Sequence, residues 1–224
     1  MELIEAINSR FSARGFLDTP VPRKTIEEII RLASRAPSSC NTQPWRVYVV
    51  SGRVRDELVS AAIASVIENG CEPLEYETGP VKWKQPYNSR RFETGRALYN
   101  AVGIDRKDKT ARNAQMLENF RFFGAPVGLI FTIDKSLCPS QLGDLGMFMQ
   151  NVMLLAREFG LHTCPQQSWQ YVNRTAHRLL EIPDEEMVYC GTPLGYIDSK
   201  HPANSINLDR APVDSFTRCF GFEE

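Results

Sequence analysis

The chain has 224 residues, with 26 basic and 27 acidic side chains for a formal net charge of −1; 42% of its residues are hydrophobic and 24% charged. A chain of this length buries roughly 70% of its unfolded surface, so its core needs neither disulfide nor metal, and its near neutrality argues against a nucleic-acid binder that relies on bulk electrostatics. The apolar runs are too short to span a bilayer, and the start Met1-Glu2-Leu3-Ile4-Glu5-Ala6 has acid where a secretory leader needs basic charge, so a cytoplasmic location is expected. Cys40, Cys71, Cys138, Cys164, Cys190 and Cys219 are scattered without a Cys-x-x-Cys pair, and His162, His177 and His201 show no i, i+4 pairing. Neither a disulfide framework nor a metal site is expected.

Taken in chain order, Leu3, Ile4 and Ile7 make a short helical face, followed by the polar break Arg10-Phe11-Ser12-Ala13-Arg14-Gly15. A turn over 18–22 leads into a helix whose buried face carries Ile26, Ile29, Ile30 and Ala33; it ends near Ala36, because Pro37 disfavours helical geometry in the residue before it. Residues 46–50 are a β-branched strand closed by Ser51-Gly52, and a helix follows over about 54–68. The glycines and prolines of 69–90 predict an irregular excursion. Two helices are expected near 91–101 and 107–123, the second capped by Asp105. Residues 127–133 read as a buried strand. A long apolar helix over 142–159 stops at Gly160, in the position of a C-terminal cap. A further helix near 171–181 and strand pieces at 187–190 and 194–197 precede a polar tail without helical period. No repeat and no linker divides the chain, so 1–224 reads as one domain. Helices outnumber strands without regular alternation, which favours an α+β fold.

The usual nucleotide loops and the Gly-x-Ser-x-Gly elbow are missing. Four stretches carry chemistry instead. In Arg10-Phe11-Ser12-Ala13-Arg14, two guanidiniums and a hydroxyl share one face if the segment is extended, which suits a phosphate monoester; a solvated basic loop would have the same composition. Pro37-Ser38-Ser39-Cys40-Asn41-Thr42-Gln43-Pro44-Trp45 places small hydroxyls and amides between prolines, an edge able to read a planar heterocycle, or simply a helix-to-strand loop. In Cys164-Pro165-Gln166-Gln167-Ser168-Trp169 the proline fixes the backbone, so that the following N–H groups can face a ligand. Arg210, in the tail, is uninformative alone.

In this order and combination the four stretches resemble the FMN-dependent nitroreductase family, over essentially the whole chain. Gly124-Ala125-Pro126, Asp144-Leu145-Gly146, Gln150-Asn151, Gly160-Leu161, Leu194-Gly195-Tyr196 and Arg210-Ala211-Pro212 add to the likeness. The segment Pro86-Tyr87-Asn88-Ser89-Arg90-Arg91 is similar to the subgroup of nitrobenzene and nitrobenzoate reductases.

The resemblance implies an α+β nitroreductase-like fold with a mostly antiparallel central sheet flanked by helices. It implies a homodimer with two FMN sites at the interface, and a segment 199–224 exchanged with the partner subunit. It also implies that Arg10, Ser12 and Arg14 bind FMN, with the arginines near its phosphate and flavin edge, that Arg210 completes the phosphate grip, and that Pro37, Ser38, Ser39, Asn41 and Gln43 approach the flavin of the other subunit. Pro165, Gln166, Gln167 and Ser168 would pass the isoalloxazine, with a backbone N–H near Gln167 directed at N5. Some relatives have Pro-x-Glu-Gly there, and some place a lysine where this chain has Leu208. The implied activity is NAD(P)H oxidation, with NADH or NADPH as donor, and ping-pong reduction of a small nitroaromatic through flavin N5 without a catalytic acid or base side chain. Quinone or enone reduction, reductive dehalogenation and non-enzymatic flavin binding are the alternatives on the same scaffold.

Residues 70–125 are expected to shape the substrate cavity, with Tyr87, Phe92, Tyr99, Phe122 and Phe123 as ring-stacking candidates. Between Val81 and Arg121 ten basic residues meet four acidic ones. That excess is either a solvated helical face or a field that steers anionic partners.

Overall fold

The computed structural model describes residues 1–137 and 139–222; Cys138 and the last two residues lie outside it. Four antiparallel strands, β1 (Arg46–Ser51), β2 (Val127–Asp134), β3 (His162–Thr163) and β4 (Glu186–Gly195), form one sheet in the order β1-β2-β4-β3. The helices are α1 (Leu3–Ser9), α2 (Arg23–Ala33), α3 (Gly52–Asn69), α4 (Tyr87–Ala101), α5 (Lys109–Leu117), α6 (Pro139–Glu158) and α7 (Asn173–Leu180). β2 is buried along nearly its whole length because both sheet faces are covered. On one face Ile26, Ile29 and Ala33 of α2 and Leu145, Phe148 and Val152 of α6 pack on Leu129, Phe131 and Ile133. On the other, Leu58, Val59 and Ala62 of α3 and Ala176 of α7 close over Ile130, Val188 and Trp169. This is the α+β architecture expected from the sequence.

Several boundaries differ from the sequence expectation, each for a physical reason. The two strand pieces near 187–197 are one strand, β4. Pro193 sits between the Thr163–Leu194 pair and the isolated Gln166–Gly191 bridge, where its missing N–H leaves no ladder position unfilled. The helix expected over 107–123 stops at Leu117 and is capped by Asp108, which accepts from Ala111 N at 2.9 Å; Asp105 instead accepts from Lys107 N at 2.7 Å. Beyond it Phe120, Phe122 and Phe123 are all buried, which a helical period cannot achieve, and the chain turns with positive φ at Phe122 and Phe123. α4 begins at Tyr87, four residues before its expected start. The α1 face of Leu3, Ile4 and Ile7 is exposed rather than buried; Ala6 alone of α1 is buried.

The irregular excursion 70–86 is stitched down at its beginning. Glu72 accepts from Ser65 Oγ at 3.0 Å, Thr175 Oγ1 at 2.7 Å and the α7 backbone at Arg174 N at 2.6 Å. Its carboxylate caps a helix that Val172 cannot cap itself. Glu72→Ala is therefore expected to lower stability by about 1.5 kcal/mol, read by urea unfolding. A change within a few tenths of a kcal/mol would show that the cap contributes nothing.

Candidate cofactor and substrate site

The segment after α1 runs extended beside β3. Ser12 bridges Thr163, Ala13 N donates to Thr163 O at 3.0 Å, and Leu17 N donates to Tyr196 O at 2.9 Å. Ala13 points into the core with no exposed surface, so its neighbours Ser12 and Arg14 turn outward with Arg10. The alternation read from the sequence is thus realised. Arg10, Ser12, Arg14 and Arg210 line one cavity of about 850 Å³, together with Thr94 of α4, Gln150 of α6 and Asn204 to Leu208 of the tail.

Asn204 organises this wall. Its Oδ1 accepts from Arg14 N at 2.7 Å, and its Nδ2 donates to Gly15 O and Asp198 O, both at 2.8 Å. A side chain on Gly15 would collide with the His201 ring. Asn204, Gln150 and Thr94 were not among the site residues read from the sequence. Asn204 lies in a tail with no period to mark it, and its role depends on contacts about 190 residues away in sequence.

The electrostatics of the cavity are one-sided. Among the described residues no carboxylate lies within ion-pair distance of Arg10, Arg14 or Arg210. Among the described residues the Arg14 and Arg210 guanidiniums donate only to the backbone carbonyls Ser12 O and Leu208–Asp209 O. Burial and the facing Arg210 guanidinium hold the Arg10 pKa below its ordinary value. Three guanidiniums, the Ser12 hydroxyl and the Gln150 amide around one space form a donor set for a dianion.

Beneath this wall the Cys164 thiol is buried, and burial raises its pKa despite the nearby Arg14, Ser12 and Arg10. His162 is held neutral. Burial, then the Arg157 guanidinium, lowers its pKa from 6.5 to about 4. Arg157 Nη1 donates to His162 Nδ1 at 3.1 Å, which puts the ring proton on Nε2. The unfolded chain therefore binds more protons than the folded one between pH 4 and 6.5, and stability falls as pH drops through that window. Urea unfolding at pH 7 and pH 5 checks this. His162→Gln is expected to lose less stability than the parent between those pH values, and equal losses would refute the assignment.

The loop Pro37 to Gln43 is strained but fixed. Cys40, Asn41 and Gln43 all have positive φ, an arrangement that concentrates at functional sites. Ser39 N donates to the buried Asp144 of α6 at 3.1 Å, Gln43 N donates to Ser38 Oγ at 3.0 Å, and Trp45 stacks on Phe148 with centroids 4.9 Å apart. None of Pro37, Ser38, Ser39, Asn41 and Gln43 lines the arginine cavity. Asp144 and Gln150 are six residues apart on α6, about 9 Å of rise and on different faces, so α6 separates the two features within one chain.

Pro165 to Ser168 follows β3. Gln166 is clamped: its N donates to Gly191 O at 2.7 Å, its O accepts from Gly191 N at 3.0 Å, and its Nε2 donates to Asn119 O at 2.7 Å. Pro165 and Gln167 are exposed, and Gln167 opens a 3-10 turn, so its N–H has no acceptor within that turn. Ser168 Oγ is buried and finds no partner among the described residues.

The aromatic candidates divide. Phe122 and Phe123 belong to the core, a correction to their expected place on an open stacking surface: the Phe122 ring stacks on Trp169 at 4.6 Å and fills the space above Gly128. Tyr87 and Phe92 are exposed on α4, and Tyr99 is half-buried. Arg106 covers Phe92 at 4.6 Å and Arg112 covers Tyr99 at 5.7 Å, so part of the basic excess of 81–121 is held against aromatic faces. Arg90 and Arg96 of α4 line a neighbouring cavity of about 1150 Å³ that shares Arg210 and Thr94 with the first. No helix among the described residues is long and apolar enough to cross a membrane.

Known proteins are similar to this chain over nearly its whole length. The chain is 39% identical to the chloronitrobenzene nitroreductase of Comamonas testosteroni over 95% of its own length and 94% of that protein's. It is 38% identical to the 4-nitrobenzoate reductase of Pseudomonas putida, over 97% and 95%. The crystal structure of the FMN and NADPH-dependent nitroreductase NfnB from sphigopyxis sp. strain HMH superposes with a TM-score of 0.95 at 38% identity, over 99% of this chain and 100% of that one. With residues 7–196 also matching the Nitroreductase family pattern, this chain belongs to the nitroreductase family.

Proposed function

We propose that the protein is an FMN-dependent oxidoreductase that oxidises NADPH or NADH and reduces nitroaromatic compounds. The observation that carries this reading is the cavity in which Arg10, Arg14 and Arg210 converge with no carboxylate among the described residues to neutralise them. Such a site suits the phosphate of FMN, and the full-length relatives named as nitroreductases point the same way. When bound, FMN supplies the two-electron relay between nicotinamide and acceptor.

The chain's own groups do the rest. Arg10, Arg14, Ser12 and Arg210 hold the phosphate end. The free N–H at Gln167 offers a donor to the ring edge, and the Ser38 to Gln43 loop reads the heterocycle's polar rim. Fixed N–H donors and positive charge around the ring stabilise the charge that builds up on reduction, so no acid or base side chain is assigned. The guanidiniums of Arg90 and Arg96, beside Arg210, draw anionic partners such as the dinucleotide or a carboxylated nitroaromatic toward the site.

Because the Ser38 to Gln43 loop and the arginine cavity do not meet within one chain, the reading includes a homodimer with two sites at the interface. Exposed Leu3, Ile4 and Ile7 on α1 and exposed Phe216, Phe220 and Phe222 in the tail supply apolar surface for a second copy to cover, and the tail is assigned to the exchanged contact. A cytoplasmic location accords with a need for reduced dinucleotide.

The test is the visible spectrum of the purified protein during anaerobic addition of NADPH or NADH. Flavin bands at ~450 nm should bleach and then return on addition of nitrobenzoate or nitrobenzene. A colourless protein that FMN does not reconstitute would refute the reading, and a yellow protein that does not bleach would favour non-enzymatic flavin binding.

A further inference from the structure

The pairing between β2 and β4 slips once. Phe131 pairs with Cys190, but Thr132 pairs with Val188, so Tyr189 is an extra residue bulged out of the ladder. A bulge leaves the backbone groups of its extra residue in need of another partner and re-aims what lies beside it. The Tyr189 carbonyl finds that partner in the excursion: Tyr76 Oη donates to it at 2.6 Å, and the Tyr76 ring stacks on the Tyr189 ring with centroids 5.5 Å apart and planes 20° apart. Tyr76 is held in place by the residues that precede it. Glu75 N donates to Gln170 Oε1 at 3.0 Å, Glu75 Oε2 accepts from Val188 N at 2.7 Å, and Glu72 N donates to Tyr171 O at 2.9 Å.

A carbonyl oxygen cannot donate, so the single Tyr76 hydroxyl proton is committed to Tyr189, and the phenolic oxygen is left only as an acceptor. Gln167 follows Gln166, whose backbone is paired with Gly191, two residues from the bulge. The turn is thus fixed through Gln166 to the strand beside the bulge.

We propose that Tyr76 is a positioning residue for the reductase site: its hydroxyl holds the bulged Tyr189 carbonyl two residues from Gly191, the backbone partner of Gln166, and so sets the Gln166–Ser168 turn against the flavin ring. This rests on the reading of the protein as a flavin reductase. The excursion then acts on the reaction through one hydroxyl, without lining the arginine cavity.

Tyr76→Phe keeps the stacked ring and removes the hydroxyl. It is expected to bind FMN within about threefold of the parent, to shift the visible flavin circular dichroism, and to slow flavin bleaching by NADPH about tenfold, while KM for NADPH changes by less than about twofold. Tyr189→Phe, which retains carbonyl and stack, should bleach at the parent rate. A Tyr76→Phe protein with parental dichroism and bleaching rate would overturn the proposal. A parent that binds no FMN would overturn the underlying function as well, so the two failures are distinguishable. Thermal melting of each apoprotein within a few degrees of the parent is expected; a large loss of melting temperature in Tyr76→Phe would mark the contact as structural and also overturn the proposal.

Discussion

Arg10→Ala is expected to weaken FMN binding by about 100-fold, roughly 3 kcal/mol, and to leave the bleaching rate of FMN-saturated protein within about threefold of the parent. A buried charge-assisted contact to a phosphate is worth several kcal/mol, and Arg10 is the guanidinium in this cavity that the surroundings already press. Its pKa is lowered by burial and by Arg210, so in the apoprotein the two like charges oppose each other. Removing one relieves that repulsion. The apoprotein should therefore melt no lower than the parent, while the holoprotein loses its stabilisation by bound cofactor. Equilibrium dialysis against FMN, with melting of both forms, reads all three quantities. An Arg10→Ala protein that retains FMN through dialysis like the parent would remove the phosphate role. A uniform drop in melting temperature would reassign Arg10 to the fold.

Gly191→Val is expected to be the most damaging single substitution for the fold, at about 4 kcal/mol and about 10 °C in melting temperature. A side chain at Gly191 would overlap the indole of Trp169, and one at Gly128 would overlap the Phe122 ring. The two rings are themselves stacked, so β2 and β4 together present a recess, floored by two glycines, that receives one aromatic pair. Trp169 and Phe122 have no exposed surface, so neither ring can swing out to make room. The damage should also reach the site, because Gly191 pairs with Gln166 and the Trp169 indole donates to Gln166 Oε1 at 3.4 Å. Combining Gly191→Ala with Trp169→Leu should recover part of the stability lost by Gly191→Ala alone. No recovery in chemical unfolding would mean that the glycine is needed for its backbone and not for the room it leaves the indole.

Much of the site was legible before the fold was known. The alternation that puts Arg10, Ser12 and Arg14 on one side is a property of extended chain, and the buried Ala13 between them could be read from residue type. The α2, α3, α6 and β2 segments were readable to within a few residues, α2 from its period and α6 and β2 from their apolar length. What failed did so where local pattern and tertiary demand conflict. Residues 118–124 look helical in composition, but the core takes Phe120, Phe122 and Phe123 together, and the backbone gives way. Phe122 and Phe123 could not be separated from ring-stacking residues by type, since an aromatic suits either place.

The sequence by itself determined the class of fold, the course of β1 and β2, and a set of cationic and amide residues suited to a phosphorylated heterocycle, because these follow from local pattern and residue chemistry; the short β3 and the continuity of β4 were not foreseen. Only the tertiary structure decided which of those residues share a space. Arg210 joins Arg10 across 200 residues of chain, Asn204 holds Arg14 in place, and the Ser38 to Gln43 loop is turned away by α6. Such contacts depend on how packed elements bring distant segments together, and no local pattern records that distance. The same holds for Tyr76, an ordinary residue of an irregular segment until the slipped register of β4 leaves it a carbonyl to bind.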